Sequence, residues 1–146
     1  MRLNLQSDYA LRLLMQLAAN TNALCTIADV AAYYGISRTH LMKVANTLGR
    51  EGFIETVRGR AGGLRLARKA SSIIIGEVVR KTEVDFALVE CLQEGKSNCL
   101  LTPACRLKGV LAEATQAFIA VLDNYTIADL ITNNDALRDL LNLEAA

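Results

Sequence analysis

Histidine and proline each occur once in this 146-residue chain, and tryptophan not at all. With His40 the only imidazole, there is no H-E-x-x-H metal site and no plausible Ser-His-Asp or Cys-His arrangement. No glycine-rich phosphate loop precedes a helix, and no internal repeat or low-complexity run appears. An enzyme would have only its thiols to work with. Hydrophobic residues make up 52% of the chain and the mean hydropathy is +0.25. Yet no stretch approaches the ~20 consecutive apolar residues of a membrane span. The start, MRLNLQSDYALRLL, turns amphipathic at once and has no signal-peptide pattern, so the expected location is the cytoplasm. There the four cysteines should stay reduced unless they bind something. A chain of this length fits one domain and buries roughly 70% of its unfolded surface, so it needs no disulfide for stability.

The charge is unevenly placed. Residues 1–70 hold ten Lys/Arg against four Asp/Glu, and residues 71–146 hold six against eleven. A net +6 half followed by a net −5 half suggests a polyanion-binding module joined to something else.

The first half supplies such a module. Ser7 is the expected cap of a helix through Asp8 to about Asn20, with Tyr9, Leu13, Leu14, Leu17 and Ala18 on one face. Thr26 to Asp29 resembles a capping box and starts a short helix to Tyr34, with Ile27, Val30 and Ala31 inward. Gly35 supplies a turn and Ser37 caps a further helix to about Glu51. Helix, glycine-containing turn, helix is the helix-turn-helix order. Leu41, Val44 and Leu48 share the inner face of the second helix; Arg38, Thr39, His40, Lys43, Asn46 and Arg50 are left outside. These side chains can donate to phosphates or base edges, and Arg38, Thr39, His40 and Lys43 lie where a recognition helix enters the major groove.

Two short strands follow, Phe53–Val57 and Leu64–Leu66, around Arg58-Gly-Arg-Ala-Gly-Gly63. Three glycines permit a tight turn, and Arg58 and Arg60 have nothing apolar to cover. This is a β-wing, suited to a phosphate track or an A·T minor groove.

In the second half a helix is expected over Ile75 to about Thr82, with a further turn over Asp85–Glu90 and a loop over Glu94–Asn98. Thr102 followed by Pro103 reads as the N-cap and first residue of a long helix to about Asn124. Its stripe of Leu107, Val110, Leu111, Ala114, Ala117, Phe118, Val121 and Leu122 could pack on its own domain or on a second subunit. Short helices are expected at Thr126–Leu130 and Ala136–Leu143.

Three of the four cysteines, Cys91, Cys99 and Cys105, lie in this half at C-x7-C-x5-C spacing. That is not the C-x2-C pairing of typical zinc sites, and no histidine is near. Three thiols on one loop suit an iron–sulfur cluster, which normally takes four ligands. Cys105, in the first turn of the Pro103 helix, would gain thiolate character from the helix dipole. The fourth ligand would come from elsewhere in the chain, a second subunit, solvent or a small molecule. Packing is the alternative use of these thiols, and the best reading of Cys25.

Met1-Arg-Leu with Asp8-Tyr9-Ala10-Leu11-Arg12, the wing segment 57–67 (VRGRAGGLRLA) and the three-cysteine loop together resemble the Rrf2 family of bacterial winged-helix regulators. The resemblance spans nearly the whole chain. It implies a mainly α fold: a winged helix-turn-helix with a small two-stranded wing over residues 1–70, a connector and cluster loop over 71–106, and a dimerisation helix with C-terminal helices over 107–146. Segments 87–91 (ALVEC) and 101–108 (LTPACRLK), with Ala117-Phe118 and Tyr125-Thr126, look most like the family's nitric-oxide-sensing branch.

Members of that branch are homodimeric repressors that bind operator DNA. Their 4Fe–4S cluster is held by three cysteines and an aspartate from the other subunit. The resemblance therefore implies Cys91, Cys99, Cys105 and Asp8 of the partner subunit as ligands. A carboxylate at position 8 would equally complement the helix dipole. Another branch uses a histidine shortly after the third cysteine, where this chain has Leu107 and Lys108. An iron-responsive branch shares the layout, so iron status is the alternative signal. A thiol redox or electron-transfer protein is the alternative from another class.

Overall fold

The computed structural model describes residues 1–95 and 97–142. Among the described residues seven α-helices and one β-hairpin follow in order: α1 Leu5–Ala19, α2 Ile27–Tyr34, α3 Arg38–Arg50, β1 Ile54–Val57, β2 Gly63–Leu66, α4 Ile75–Thr82, α5 Arg106–Asp123, α6 Ile127–Ile131 and α7 Asp135–Leu141. Single 3-10 turns occur at Ala70–Ser72, Glu90–Leu92 and Thr102–Ala104. Among the described residues no helix is long and apolar enough to cross a membrane.

Helix α1 is the axis of the core. Ala10, Leu13, Leu14, Leu17 and Ala18 are buried along one face, as the 3.6-residue period predicts. The N-cap is Asn4 and not Ser7, since the Asn4 side chain accepts the Ser7 backbone N–H at 2.8 Å. Ser7 lies inside the first turn, fully buried, with its hydroxyl 2.7 Å from that of Thr82 in α4. Asn4 also donates to the Thr82 carbonyl at 3.0 Å, and its own N–H donates to Glu83 at 2.9 Å. The start of α1 is thus stitched to the end of α4.

The helix-turn-helix forms as its caps predict. Thr26 accepts from the Asp29 N–H at 3.1 Å, and Ser37 accepts from the His40 N–H at 3.4 Å. Gly35 ends α2 at φ +63, a left-handed value that favours glycine. Strands β1 and β2 pair antiparallel with Ile54 opposite Leu66 and Val57 opposite Gly63. Cys25 adds a bridge to the hairpin by exchanging two backbone hydrogen bonds with Leu64, at 3.1 and 2.8 Å. A Cβ at Gly63 would lie 2.9 Å from Leu24 Cβ, so only glycine allows this close approach.

One apolar core runs through both halves, from Leu13, Val30, Leu41, Leu48 and Phe53 to Ile73, Val78, Val79 and Ile127. Helix α6 carries a full capping box between Thr126 and Asp129. Helix α7 starts at Asp135 under the cap of Asn134, one residue before the expected start; the expected last residue, Leu143, lies outside the described residues.

The long helix also starts later than Thr102-Pro103 suggests. Those residues form a 3-10 turn, and Cys105 has extended backbone (φ −83, ψ 105) that interrupts it. Thr102 bonds to the Ser97 hydroxyl at 3.2 Å and caps nothing. The α-helix begins at Arg106, so Cys105 is its N-cap residue and not part of its first turn. None of the 18 residues of α5 is buried. Of its expected apolar stripe Leu122 packs on the core, beside Ile119 from outside the stripe, while Leu107, Val110 and Val121 are 61%, 59% and 57% exposed.

Candidate nucleic-acid interface and cysteine segment

Helix α3 hangs on Leu41, Val44 and Leu48, which are buried. That anchoring turns Arg38, Thr39, His40 and Lys43 outward, all exposed. Met42 shares their surface, 53% exposed, an apolar neighbour that a pattern of polar donors does not mark. The His40 ring meets Tyr9 of α1 edge-on, with centroids 6.0 Å apart. His40 therefore has one packed side while its helix face stays open.

The wing tip holds Arg58 and Arg60, both exposed. Gly59 has φ +117, and a Cβ at Gly62 would stand 2.3 Å from the Val57 carbonyl oxygen. Both glycines are required by the turn. At the stem, Arg65 pairs with Glu55 across the hairpin. The unpaired cations of the hairpin are thus the two at its tip. The outer side of α3 and the wing tip are each exposed, cationic and rich in donors, the chemistry that phosphates and groove edges recognise.

The cysteine segment lies between α4 and α5. Cys91 sits part-buried in the Glu90–Leu92 turn, Cys99 is exposed, and Cys105 is part-buried at the start of α5. The segment doubles back on itself: the Asn98 N–H donates to the Glu90 carboxylate at 3.1 Å. That bond sets the stretches carrying Cys91 and Cys99 side by side. The Cys99 carbonyl accepts from the Thr102 N–H at 3.2 Å, which leads the chain toward Cys105. All three thiols are free. The donor set suits an iron–sulfur cluster in kind, three unbonded thiols on one segment held by few bonds. It is not pre-assembled in one chain: among the described residues no three Cys, His, Asp or Glu side chains converge on a metal-sized site.

Asp8 is in the first turn of α1, half-exposed. Its carboxylate takes two hydrogen bonds from Arg12, at 3.0 and 2.7 Å. The Arg12 guanidinium also lies 6.0 Å from the Tyr9 ring centroid and 5.9 Å from that of Tyr34. Cys25 is in the core, where burial, reinforced by the nearby Asp29 carboxylate, pushes its thiol up to about 11. It stays a protonated, unreactive thiol.

The chain matches the family model Rrf2, described as an iron-dependent transcriptional regulator, over residues 3–133. It is 50% identical over 143 residues to the HTH-type transcriptional regulator NsrR of Bacillus licheniformis, a match covering 97% of this chain and 100% of that one. Against NsrR of Bacillus subtilis the identity is 48% over 145 residues, covering 99% of each. Among solved structures, IscR of T. potens aligns with a TM-score of 0.72 at 23% identity, covering 93% of this chain and 88% of that one. CymR of B. subtilis, the global cysteine regulator, aligns at 0.71 and 23%, covering 89% and 95%. These two show the shared fold, and the relatives are regulators and not enzymes. The chain belongs to the Rrf2 family: it is an NsrR-like, DNA-binding transcriptional regulator built on a winged helix.

Proposed function

We propose that this chain is a homodimeric repressor that senses nitric oxide through an iron–sulfur cluster. Cys91, Cys99 and Cys105 of one subunit and Asp8 of the partner subunit would hold a 4Fe–4S cluster. The observation that carries this reading is the placement of three free thiols on one segment joined directly to α4 and α5. When bound, the cluster supplies iron that nitric oxide can attack.

The protein's own residues supply the rest. Arg38, Thr39, His40 and Lys43 read the major groove, and Arg58 and Arg60 track phosphates or the minor groove. Asp8, paired with Arg12 in its own helix, would hold the cluster from across the dimer, and it stands at the start of α1, which packs against α3. Supporting a dimer, α5 leaves Leu107, Val110 and Val121 open. Beside it runs an apolar groove of about 620 Å³, lined by Leu3, Leu11, Phe86, Ala114, Phe118 and Leu122 among others.

Anaerobic purification tests the reading. Wild type should carry a visible chromophore with iron and sulfide, lost in each of Cys91→Ala, Cys99→Ala and Cys105→Ala and kept in Cys25→Ala. Nitric oxide should then release operator DNA. A second reading, iron-responsive repression, is favoured by the family's description as iron-dependent. Release by an iron chelator with indifference to nitric oxide would select it.

A further inference from the structure

Helix α4 carries three charged side chains in two turns, and each grips a different element. Glu77 receives two hydrogen bonds from Arg68, at 3.1 and 3.0 Å. Arg68 follows β2, and its guanidinium lies over the Phe53 ring at 4.8 Å, so it ties the base of the wing. Lys81 pairs at 2.9 Å with Glu51, the residue that ends α3. Arg80 holds Asp123 of α5 with two parallel hydrogen bonds. Just past these residues the chain enters the cysteine segment.

Half-exposed ion pairs of this kind add little to stability. Their arrangement does something else. Recognition helix and wing are each joined to α4 by a charge pair, and the geometry between helix and wing decides whether both fit one duplex. Neither pair offers a cation to DNA directly, because each cation faces a carboxylate.

We propose that α4 is a positioning element for the DNA surface, with Lys81 orienting the recognition helix through Glu51 and Glu77 orienting the wing through Arg68. The proposal rests on the reading that α3 and the wing contact DNA.

The sign of a charge effect separates positioning from electrostatics. Removing an acidic charge near DNA strengthens binding if charge alone matters. Glu51→Gln and Glu77→Gln should do the reverse. The probes are a duplex selected from a random pool by the wild-type chain and a scrambled duplex of equal length, each titrated at three salt concentrations. Both variants should bind the selected duplex about fivefold more weakly, at the low end of ordinary coupling. Their binding to the scrambled duplex should be unchanged or tighter, and the salt slope should stay as in wild type, since no phosphate contact is lost. The reversed pair, Glu51→Lys with Lys81→Glu, should recover most of the loss on the selected duplex.

Selected-duplex binding by Glu51→Gln as tight as wild type, or tighter, overturns the proposal. So does equal weakening on both duplexes, which would report damaged folding. Arg60→Ala and Lys43→Ala run alongside: if these too bind like wild type, the fault lies with the assigned DNA surface, whereas their weakening beside an unaffected Glu51→Gln condemns the α4 proposal alone.

Discussion

The Asp123 carboxylate fills the space that a side chain at Gly76 would need. A Cβ on residue 76 would lie 2.0 Å from Asp123 Oδ1 and 3.2 Å from its backbone nitrogen. Gly76 is a notch in α4 that lets the end of α5 come close, and Arg80 then clasps the carboxylate from one turn further on. The clasp holds the Asp123 carboxyl below its ordinary range. The Ile75 N–H donates to the Tyr125 carbonyl at 2.9 Å, closing the same seam.

Gly76→Ala should therefore destabilise the fold by about 1–3 kcal/mol, the usual range for overpacking. Alanine is otherwise the better helix former, so the loss would report the contact and not propensity. Urea unfolding measures it. The same substitution made in an Asp123→Ala background should cost much less, because the obstructing carboxylate is gone.

The buried amide of Gln16 gives a second test. It accepts from the Tyr34 hydroxyl at 3.0 Å and donates to the Leu141 carbonyl, which also accepts from Asn20 at 2.8 Å. Gln16→Leu roughly keeps the volume and leaves the Tyr34 hydroxyl only the long contact to the Arg12 carbonyl at 3.5 Å, at a cost of about 1–3 kcal/mol. Adding Tyr34→Phe should recover part of that loss. Strict additivity of the two variants would show that the bond contributes nothing.

Cysteine reactivity should follow position. Under a brief pulse of alkylating reagent on the metal-free protein, Cys99 should label first, Cys91 and Cys105 later, and Cys25 only on unfolding. Peptide mass spectrometry reads the order. Early labelling of Cys25 would contradict its place in the core.

Alkaline pH should weaken the fold. Burial raises the Cys25 thiol from 9.0 to about 11 and the Tyr34 phenol from 10.0 to about 12. The unfolded chain releases these protons first. Their contribution is thus whole below about pH 9 and fades as pH rises through the folded values. Urea midpoints should fall between about pH 8 and about pH 10.5, and less steeply in Cys25→Ala.

Much of the molecule was legible from local pattern. Thr26, Gly35 and Ser37 mark the helix-turn-helix because capping and left-handed glycine are interactions among near neighbours. Leu41, Val44 and Leu48 face inward because spacing of three and four residues fixes a helix face, and the exposure of Arg38, Thr39, His40 and Lys43 follows. Gly59 and Gly62 announce the wing because the turn itself requires them, whereas the need for Gly63 comes from Leu24 and Cys25. Ile75–Thr82 is the helix that the sequence suggests.

What sequence pattern could not decide depends on residues far apart in the chain. Ser7 looks like a cap, but Thr82, 75 positions on, takes its hydroxyl and leaves the cap to Asn4. Thr102-Pro103 looks like the start of a helix. The turn that closes the cysteine segment delays it to Arg106 and makes Cys105 its N-cap residue. No local pattern marks Glu51, Arg68, Glu77 and Lys81 as partners; folding sets them in pairs. Local chemistry determined which segments are helix, turn and wing. Only tertiary structure decided which charges pair, which polar groups are buried, and that α4 grips the end of α3, the base of the wing and α5, because those contacts exist only once distant segments have packed.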